Sequence, residues 1–502
     1  MTVDPVTLQV LTGGMRAACE EMGAVLIRAA HSSNIKERHD CSTALFDAAG
    51  ELVMQAEHIP VHLGSMPAAV AAIVDEPQAD GDLWILNDPY RGGTHLPDVT
   101  LISPVFEDGE ILGFAASRAH HADIGGPTPG GMPAFSTHLD DEGVVIPPTR
   151  ADDALLRELA GRMRSPEQRL ADFRAQRAAN LTGITRLREL AARHGLERLR
   201  AGMAEILDYA ERRTRAALSE LPDGEGSAAD RLEAADGSEV ALRVRATVSG
   251  DALTLDFAGT DEQVEGNLNC PISVTRAACA YAVRVVCDPD APPSAGAWRP
   301  VTVAAPEGSL LNARAPAAVT AGNVETSSRV ADLVIAAMAA FKPVPAQGQG
   351  TMNNFTLAAE GWTYYETICG GQGACPDADG PDAVHVAMSN TLNTPVEALE
   401  AEFPLRVREL SVLRGSGGSG QHSGGDGIAR EIEALEPMRF TLIAERRRIA
   451  PAGRDGGGDG RPGRDSVNGE RIPAKTEGEL QAGDRIRIET PGGGGHGGAA
   501  TG

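Results

Sequence analysis

Along this chain the spacing of apolar residues changes from helical to alternating, back to helical, and then to alternating again, which rules out an all-helical or an all-strand fold. Residues 4–30 carry apolar side chains at helical spacing after an Asp-Pro start, predicting an opening helix despite the Gly13-Gly14 pair. From 38 to 146 the pattern alternates and is broken by turn residues, first at Asp47-Ala48-Ala49-Gly50 and again around "GDLWILNDP" and "FEDGEILGFAASRAHH". Helical spacing returns over 151–221, where Ser165-Pro166-Glu167-Gln168 predicts a helix start with a serine cap, a proline in the first turn and a glutamine reaching back. Past 228 two alternating runs flank Ser249-Gly250-Asp251, "CPISVTRAACAYAVRVVC" reads as a helix, and "RIRIETPGGGG" reads as a last strand running into glycines. At 502 residues the chain outgrows one hydrophobic core. The expectation is a multi-domain α+β protein of mixed sheets with a helical segment in the middle, divided at 1–150, 151–225 and 226–502.

Charge narrows the partners. With 45 Lys and Arg against 70 Asp and Glu, a net charge of -25 repels polyphosphate backbones and anionic membrane surfaces, so neither nucleic acid nor a membrane is expected. No apolar run approaches the roughly 20 residues of a bilayer span, and "MTVDPVTLQVL" has no secretion-signal character, which predicts a cytoplasmic protein. The seven cysteines are irregularly spaced and form neither a disulfide framework nor paired Cys-x2-Cys zinc ligands, so Cys369 and Cys375 read as incidental. No phosphate-binding Gly-x4-Gly-Lys-Ser/Thr motif is present. "GSGGSG" at 415–420 fits Gly-x-Gly-x-x-Gly but is followed by "QHSGGDG" instead of a helix, so it reads as a flexible loop.

Two segments hold candidate metal ligands. His58 and His62 have the spacing of a helical zinc pair, but Pro60 opposes the helix, and in an extended chain they would stand about 13 Å apart. They read as pocket-lining or hydrogen-bonding residues. "NDPYRGGTHLPDVTL", residues 87–101, is the better candidate, because a His-x-x-Asp turn stiffened by Pro97 can aim His95 and Asp98 at one point. A third ligand would come from "RAHHADIGG", which offers His120, His121 and Asp123 at the end of a strand. Nitrogen and oxygen donors without a thiol suit Zn, Mn or Fe, and the competing reading is a hydrogen-bonded structural pair.

Six blocks, "LNDPYRGGTHLPDVTLISPVF", "SRAHHADIGGPTPGGMP", "GNVETSSRVADLVIAAM", "VHVAMSNTLNTPVEALE", "ERRRIAP" and "DRIRIETPGGGGHG", occur in the order found in the hydantoinase B / 5-oxoprolinase family, and the resemblance runs from about residue 4 to 498. The chain resembles the B subunit of ATP-dependent hydantoinases and the matching part of 5-oxoprolinase and of the acetone carboxylase catalytic subunit. That resemblance implies a division of labour. An A-type partner with an actin-like ATPase fold uses ATP to phosphorylate the carbonyl oxygen of a small cyclic amide, and the B-type chain completes hydrolysis at a divalent metal in a hetero-oligomer.

The metal ligands of the carboxylase branch fall on His95, Asp98 and His120. His121 and Asp123 then become candidates for orienting groups or for the general base. The alternative activities are ketone carboxylation on the same three ligands and a non-catalytic assembly subunit. Glu325, Thr326, Ser327 and Arg329, then Asn353, Asn354, Glu366, His385 and Asn390, are polar residues of the family blocks that would face substrate or serve structure.

Overall fold

The opening helix, Pro5–Ala29, starts where the Asp4 carboxylate accepts the N–H groups of Val6 and Thr7 and Pro5 supplies a preset first turn. Its buried stripe of Leu8, Leu11, Met15, Cys19, Met22 and Leu26 recurs every three or four residues. The stripe packs on a second long helix, Pro166–His194, and a third, Leu196–Ser219. Gly14 is tolerated inside the first helix because a Cβ there would lie 2.9 Å from Leu190, so the missing side chain lets the helices approach. The second helix begins at Pro166 as the sequence predicts, but the expected cap does not form. Ser165 is left-handed (φ 53°) with its hydroxyl on the Gly361 carbonyl, and Gln168 donates to the carbonyl of His31.

The computed structural model describes residues 3–498. The three long helices cover one face of a six-stranded antiparallel sheet. Its strands are β1 (Cys41–Asp47), β2 (Leu52–Glu57), β3 (Trp84–Leu86), β4 (Asp98–Glu107), β5 (Glu110–His120) and β6 (Thr149–Arg150), in spatial order β2-β1-β5-β4-β3-β6. Phe46, Met66, Val70, Trp84 and Phe114 pack the opposite face under the short helix Met66–Ala71. β4 and β5 are buried along nearly their whole length, as both faces are covered. Each fully buried large apolar side chain there contributes roughly 1.5–3 kcal/mol.

Three further sheets follow. β7 (Gly224–Glu233), β8 (Glu239–Ser249), β9 (Ala252–Asp256) and β10 (Val301–Ala304) form the second, in order β10-β9-β8-β7, packed against helices Ile272–Cys287 and Ser327–Met338. The third runs β12-β11-β15-β18, from Trp362–Glu366 (β12), Asn354–Ala359 (β11), Met438–Ile443 (β15) and Lys475–Leu480 (β18). The fourth runs β13-β14-β19-β16-β17, from Leu405–Val412 (β13), Ile428–Ala434 (β14), Arg485–Glu489 (β19), Arg464–Val467 (β16) and Glu470–Ile472 (β17). Only β9 and β10 pair in parallel among these strands.

The glycine-rich segments differ from expectation. "GSGGSG" is no flexible loop, because Gly418 N–H bonds to the Gly493 carbonyl and Gly424 N–H to the Gly418 carbonyl, while Gly493 N–H bonds to the Gly425 carbonyl. A Cβ on Gly493 would lie 2.0 Å from the Gln372 carbonyl oxygen, so backbone packs directly on backbone.

Candidate metal centre

His95 and Asp98 are brought together by a turn in which the Asp98 N–H bonds to the His95 carbonyl. The turn is held at both ends. Asn87 donates to the carbonyls of Leu96 and Val144 and accepts from Ile146 N–H, which fastens residues 87–96 to the neighbouring chain. Gly92 takes φ 104°, and a Cβ on Gly93 would stand 2.2 Å from the Asn87 carbonyl oxygen, so neither position admits a side chain. Asp88 accepts from Tyr90 N–H and closes the turn, pointing to no ligand.

His120 arrives by strand register. Asp98 opens β4 and pairs directly with His120, the last residue of β5, so the two side chains share one face. The Nε2 of His95 lies 3.0 Å and the Nδ1 of His120 3.2 Å from Asp98 Oδ1. All three side chains are buried, and their ligand atoms lie within 4.8 Å of one another, the one such group of three among the described residues.

The donor set fits a divalent ion. His95 Nε2 is 3.0 Å from Asp98 Oδ1 without making a hydrogen bond, and His120 Nδ1 lies within hydrogen-bond distance of the same oxygen, so both rings and the carboxylate crowd one place. Donor separations near 3 Å are those of ligands bound at about 2.1 Å around one cation.

The other carboxylate oxygen, Oδ2, is fixed from three sides. Thr94 Oγ1 donates to it at 2.9 Å, Asn323 Nδ2 stands at 3.5 Å, and His62 Nε2 at 3.4 Å with its own Nδ1 on Ser42 Oγ at 3.0 Å. Burial opposes ionisation of Asp98, but the surrounding rings of His95, His120 and His62 outweigh it and hold the carboxyl well below its ordinary range. The His120 ring stacks on Tyr365 at 4.6 Å and 12°, and burial lowers its basicity. The Tyr365 hydroxyl donates to Asn354 Oδ1, and the guanidinium of Arg38 stands 5.2 Å from the centre of the same ring.

The other two expected residues are not brought to this point. His121, the residue just past the end of β5, turns to the opposite side, where Nε2 meets Gln176 Oε1 at 3.0 Å and the ring packs on Phe173. Burial pushes its pKa down to about 4. Asp123 is committed to structure, accepting from the N–H groups of Gly125, Gly130 and Arg164 and pairing with the Arg164 guanidinium. His58 is not part of the group of three and meets His39 edge-on at 6.1 Å.

The remaining family-block residues mostly serve packing. Glu366 pairs with Arg430 and accepts from Thr394 N–H, while His385 bonds Ser389 and Asn390 donates to the His58 carbonyl. Thr326 and Ser327 bond backbone carbonyls of Leu268 and Asn323. Arg329 pairs with Glu445, and Asn353 accepts from Arg447. Glu325 Oε1 accepts from Met352 N–H and Asn354 Nδ2, and burial raises its pKa to about 7. It sits in a five-residue π-helical turn, Gly322–Thr326, that also delivers Asn323 to Asp98.

Sequence reasoning missed Thr94, Arg118, Asn323 and Tyr365. Arg118 was within reach of period-two alternation, since it shares a face with His120, and it donates to Thr100, Ser65 and the Gly92 carbonyl. Asn323 is 225 positions from Asp98 and carries no local signal.

Compared with known families, residues 4–499 match the Hydantoinase B/oxoprolinase model. The chain belongs to the hydantoinase B/oxoprolinase family. A 5-oxoprolinase of Dictyostelium discoideum is 38% identical over 99% of this chain and 40% of its own length. An uncharacterized protein of Methanocaldococcus jannaschii is also 38% identical, over 99% of this chain and 91% of its own. This hydantoinase B/oxoprolinase chain thus spans about two fifths of the 5-oxoprolinases it matches. Among solved structures, the ATP-dependent caprolactamase of Pseudomonas jessenii superposes with a TM-score of 0.93 at 28% identity, covering 99% of this chain and 92% of that one. Acetone carboxylase shares the fold, with a TM-score of 0.88 at 17% identity over 98% of this chain and 76% of that one. No helix among the described residues is long and apolar enough to cross a membrane.

Proposed function

We propose that this chain is the metal-bearing subunit of an ATP-dependent hydrolase that opens cyclic amides of the 5-oxoproline or hydantoin class, working with an A-type ATPase partner. The observation that carries the proposal is the convergence of His95, Asp98 and His120 on one buried point in a chain that matches the hydantoinase B/oxoprolinase family over its length. The names of its relatives support the substrate class, because 5-oxoproline and caprolactam are both lactams. A lactam is resonance-stabilised and resists water, so phosphorylation of its oxygen by the partner would make the ring carbon electrophilic and supply a leaving group.

His95, Asp98 and His120 would hold Zn, Mn or Fe, and the bound ion would supply Lewis acidity at neutral pH. The chain's own residues supply the rest. Thr94 and Asn323 keep Oδ2 of Asp98 turned away from the shared point, and Tyr365 fixes the plane of His120. His62, anchored by Ser42, is the imidazole outside the ligand set that stands beside the centre, placed to hold a proton at Nε2. His121 and Asp123 act at one remove, through Gln176 and through the turn at Gly125–Gly131. Burial of the centre excludes bulk water and strengthens each of these interactions.

The test is reconstitution of the chain with an A-type partner, ATP and either 5-oxoproline or hydantoin, with phosphate release and ring opening followed together. Ring opening that requires both chains, ATP and an intact Asp98 is expected. ATP turnover coupled instead to bicarbonate uptake by a ketone would overturn the hydrolase assignment.

A further inference from the structure

Beside the 445–448 turn, at the edge of β16, β17 and β18, a pocket of about 190 Å³ is lined by Arg447, Arg448, Arg464, Arg471 and Lys475 against two carboxylates, Glu233 and Asp465. Such an excess of cations is out of character for a chain of net charge -25. Both acids are already used. Asp465 forms a two-pronged pair with Arg447 at 2.8 and 2.9 Å, and Glu233 accepts the backbone N–H groups of Arg447, Arg448 and Ile449. Lys475 is spent on Glu445 Oε1 and the Glu233 carbonyl.

Three guanidinium groups are left. Arg448 reaches the Gly237 carbonyl at 2.9 Å and stands 4.0 Å from Glu233. Arg464 and Arg471 are exposed and form no ion pair or side-chain hydrogen bond among the described residues. Strand register gathers them: Ser466 lies opposite Arg471, so alternation places Arg464 and Arg471 on the same face of the β16–β17 hairpin. Like charges so placed repel unless an anion lies between them.

We propose that this pocket is a binding site for a phosphate group, either free or carried on a small molecule. Planar guanidinium forks match phosphate oxygens pairwise, and a phosphate ester brings a charge of about -1.5 to -2 at neutral pH, closer to the local excess than a single carboxylate does. The pocket's small volume and the chain's overall negative charge disfavour a nucleic-acid backbone. The proposal is independent of the reaction assigned to the metal centre.

Calorimetric titration of the full chain with inorganic phosphate and with glycerol phosphate, at constant ionic strength set with chloride, tests it. Saturable binding of at least one is expected, and whichever binds more tightly shows whether the group is free or carried. Loss of a charge-assisted contact weakens binding about tenfold, so Arg464→Ala with Arg471→Ala together should weaken it about a hundredfold. Arg406→Ala, a substitution at an exposed arginine outside the pocket, should leave binding unchanged, and Asp98→Asn should retain it, which separates this pocket from phosphate held at the metal centre. Absence of saturable binding to the wild-type chain, equal affinity in the double variant, equal loss in Arg406→Ala, loss in Asp98→Asn, or binding of an Asp/Glu-rich peptide in place of phosphate would each overturn the proposal.

Discussion

At the head of β4 three imidazoles crowd around one carboxylate, whereas around residues 445–448 buried cations and acids alternate in a shared network. Arg447 pairs with Asp465, Arg446 with Asp230 at 3.1 Å, and Lys475 with Glu445 at 2.6 Å, with Arg329 joining Glu445 from the helix Ser327–Met338. Both clusters are buried, so burial alone does not separate them. Their bookkeeping of donors and acceptors does. In the arginine cluster the charges face opposite charges and tie β7, β16 and β18 to one turn, although Nε of Arg329 and of Arg446 has no hydrogen-bond partner among the described residues. In the histidine cluster both ring nitrogens of His95, Nε2 of His62 and Nε2 of His120 have no hydrogen-bond partner. Buried imidazole nitrogens left without partners around one carboxylate are what a candidate ligand site shows, while charges matched by opposite charges are what a structural joint shows.

Substitutions can break this contrast. The largest effect is expected from Asp98→Asn, which removes the shared anionic ligand. Wild-type protein should carry about one Zn, Mn or Fe ion per chain, and the variant close to none, by elemental analysis of protein with unchanged circular dichroism. Metal retained in full by the variant would show that Asp98 is not a ligand, and wild-type protein without metal would reduce the cluster to hydrogen-bonded side chains.

Arg447→Met should do the opposite. It leaves Asp465 buried and unpaired, at a cost of about 3–5 kcal/mol in unfolding free energy, yet metal content per folded chain should not change. An unaltered denaturation midpoint would show that this pair ties nothing together.

A smaller effect is expected at Tyr365, which touches the metal centre only through His120. Tyr365→Leu should weaken metal affinity about tenfold by freeing the ring, and Tyr365→Phe, which keeps the stack and loses only the bond to Asn354, should bind nearly as the wild type does. Equal losses in both variants would assign the effect to the hydroxyl.

A further effect, spread over pH, comes from Glu325. Burial raises Glu325 to about 7 from an ordinary value of 4.5, with the charge of Glu445 adding to it. Between these values the native chain keeps a proton that the unfolded chain has released, so ionisation erodes native stability as pH rises through the window. Relative to Glu325→Gln, the wild type should therefore lose stability from about pH 4.5 to 7 and run parallel above it, as measured by denaturant unfolding at fixed ionic strength. A difference that stays constant with pH would mean that Glu325 is already ionised at pH 5.

Much of the candidate site is legible in the sequence because its proposed ligands lie on short-range geometry. His95 and Asp98 share a turn, and the alternation of β5 places His120 and Arg118 together and His121 opposite. Alternation separates His120 from His121, but which of the two meets Asp98 is decided by the pairing of β4 with β5. Asp123 was less legible, since an Asp before paired glycines looks the same whether it serves a substrate or its own loop. The missing cap at Ser165 has a similar cause: tertiary contacts to Gly361 and His31 outcompeted a local motif.

By itself, then, the sequence determined the α+β class, the order of helical and alternating segments and the turn that joins His95 to Asp98, because each depends on residues within a few positions of one another. Only the tertiary structure decided that His62, Thr94 and Asn323 converge on one oxygen of Asp98, that Tyr365 backs His120, and that glycine segments pack as bare backbone. The distant contacts join segments up to 225 positions apart, and their geometry is set by how whole sheets and helices pack, which no local spacing encodes.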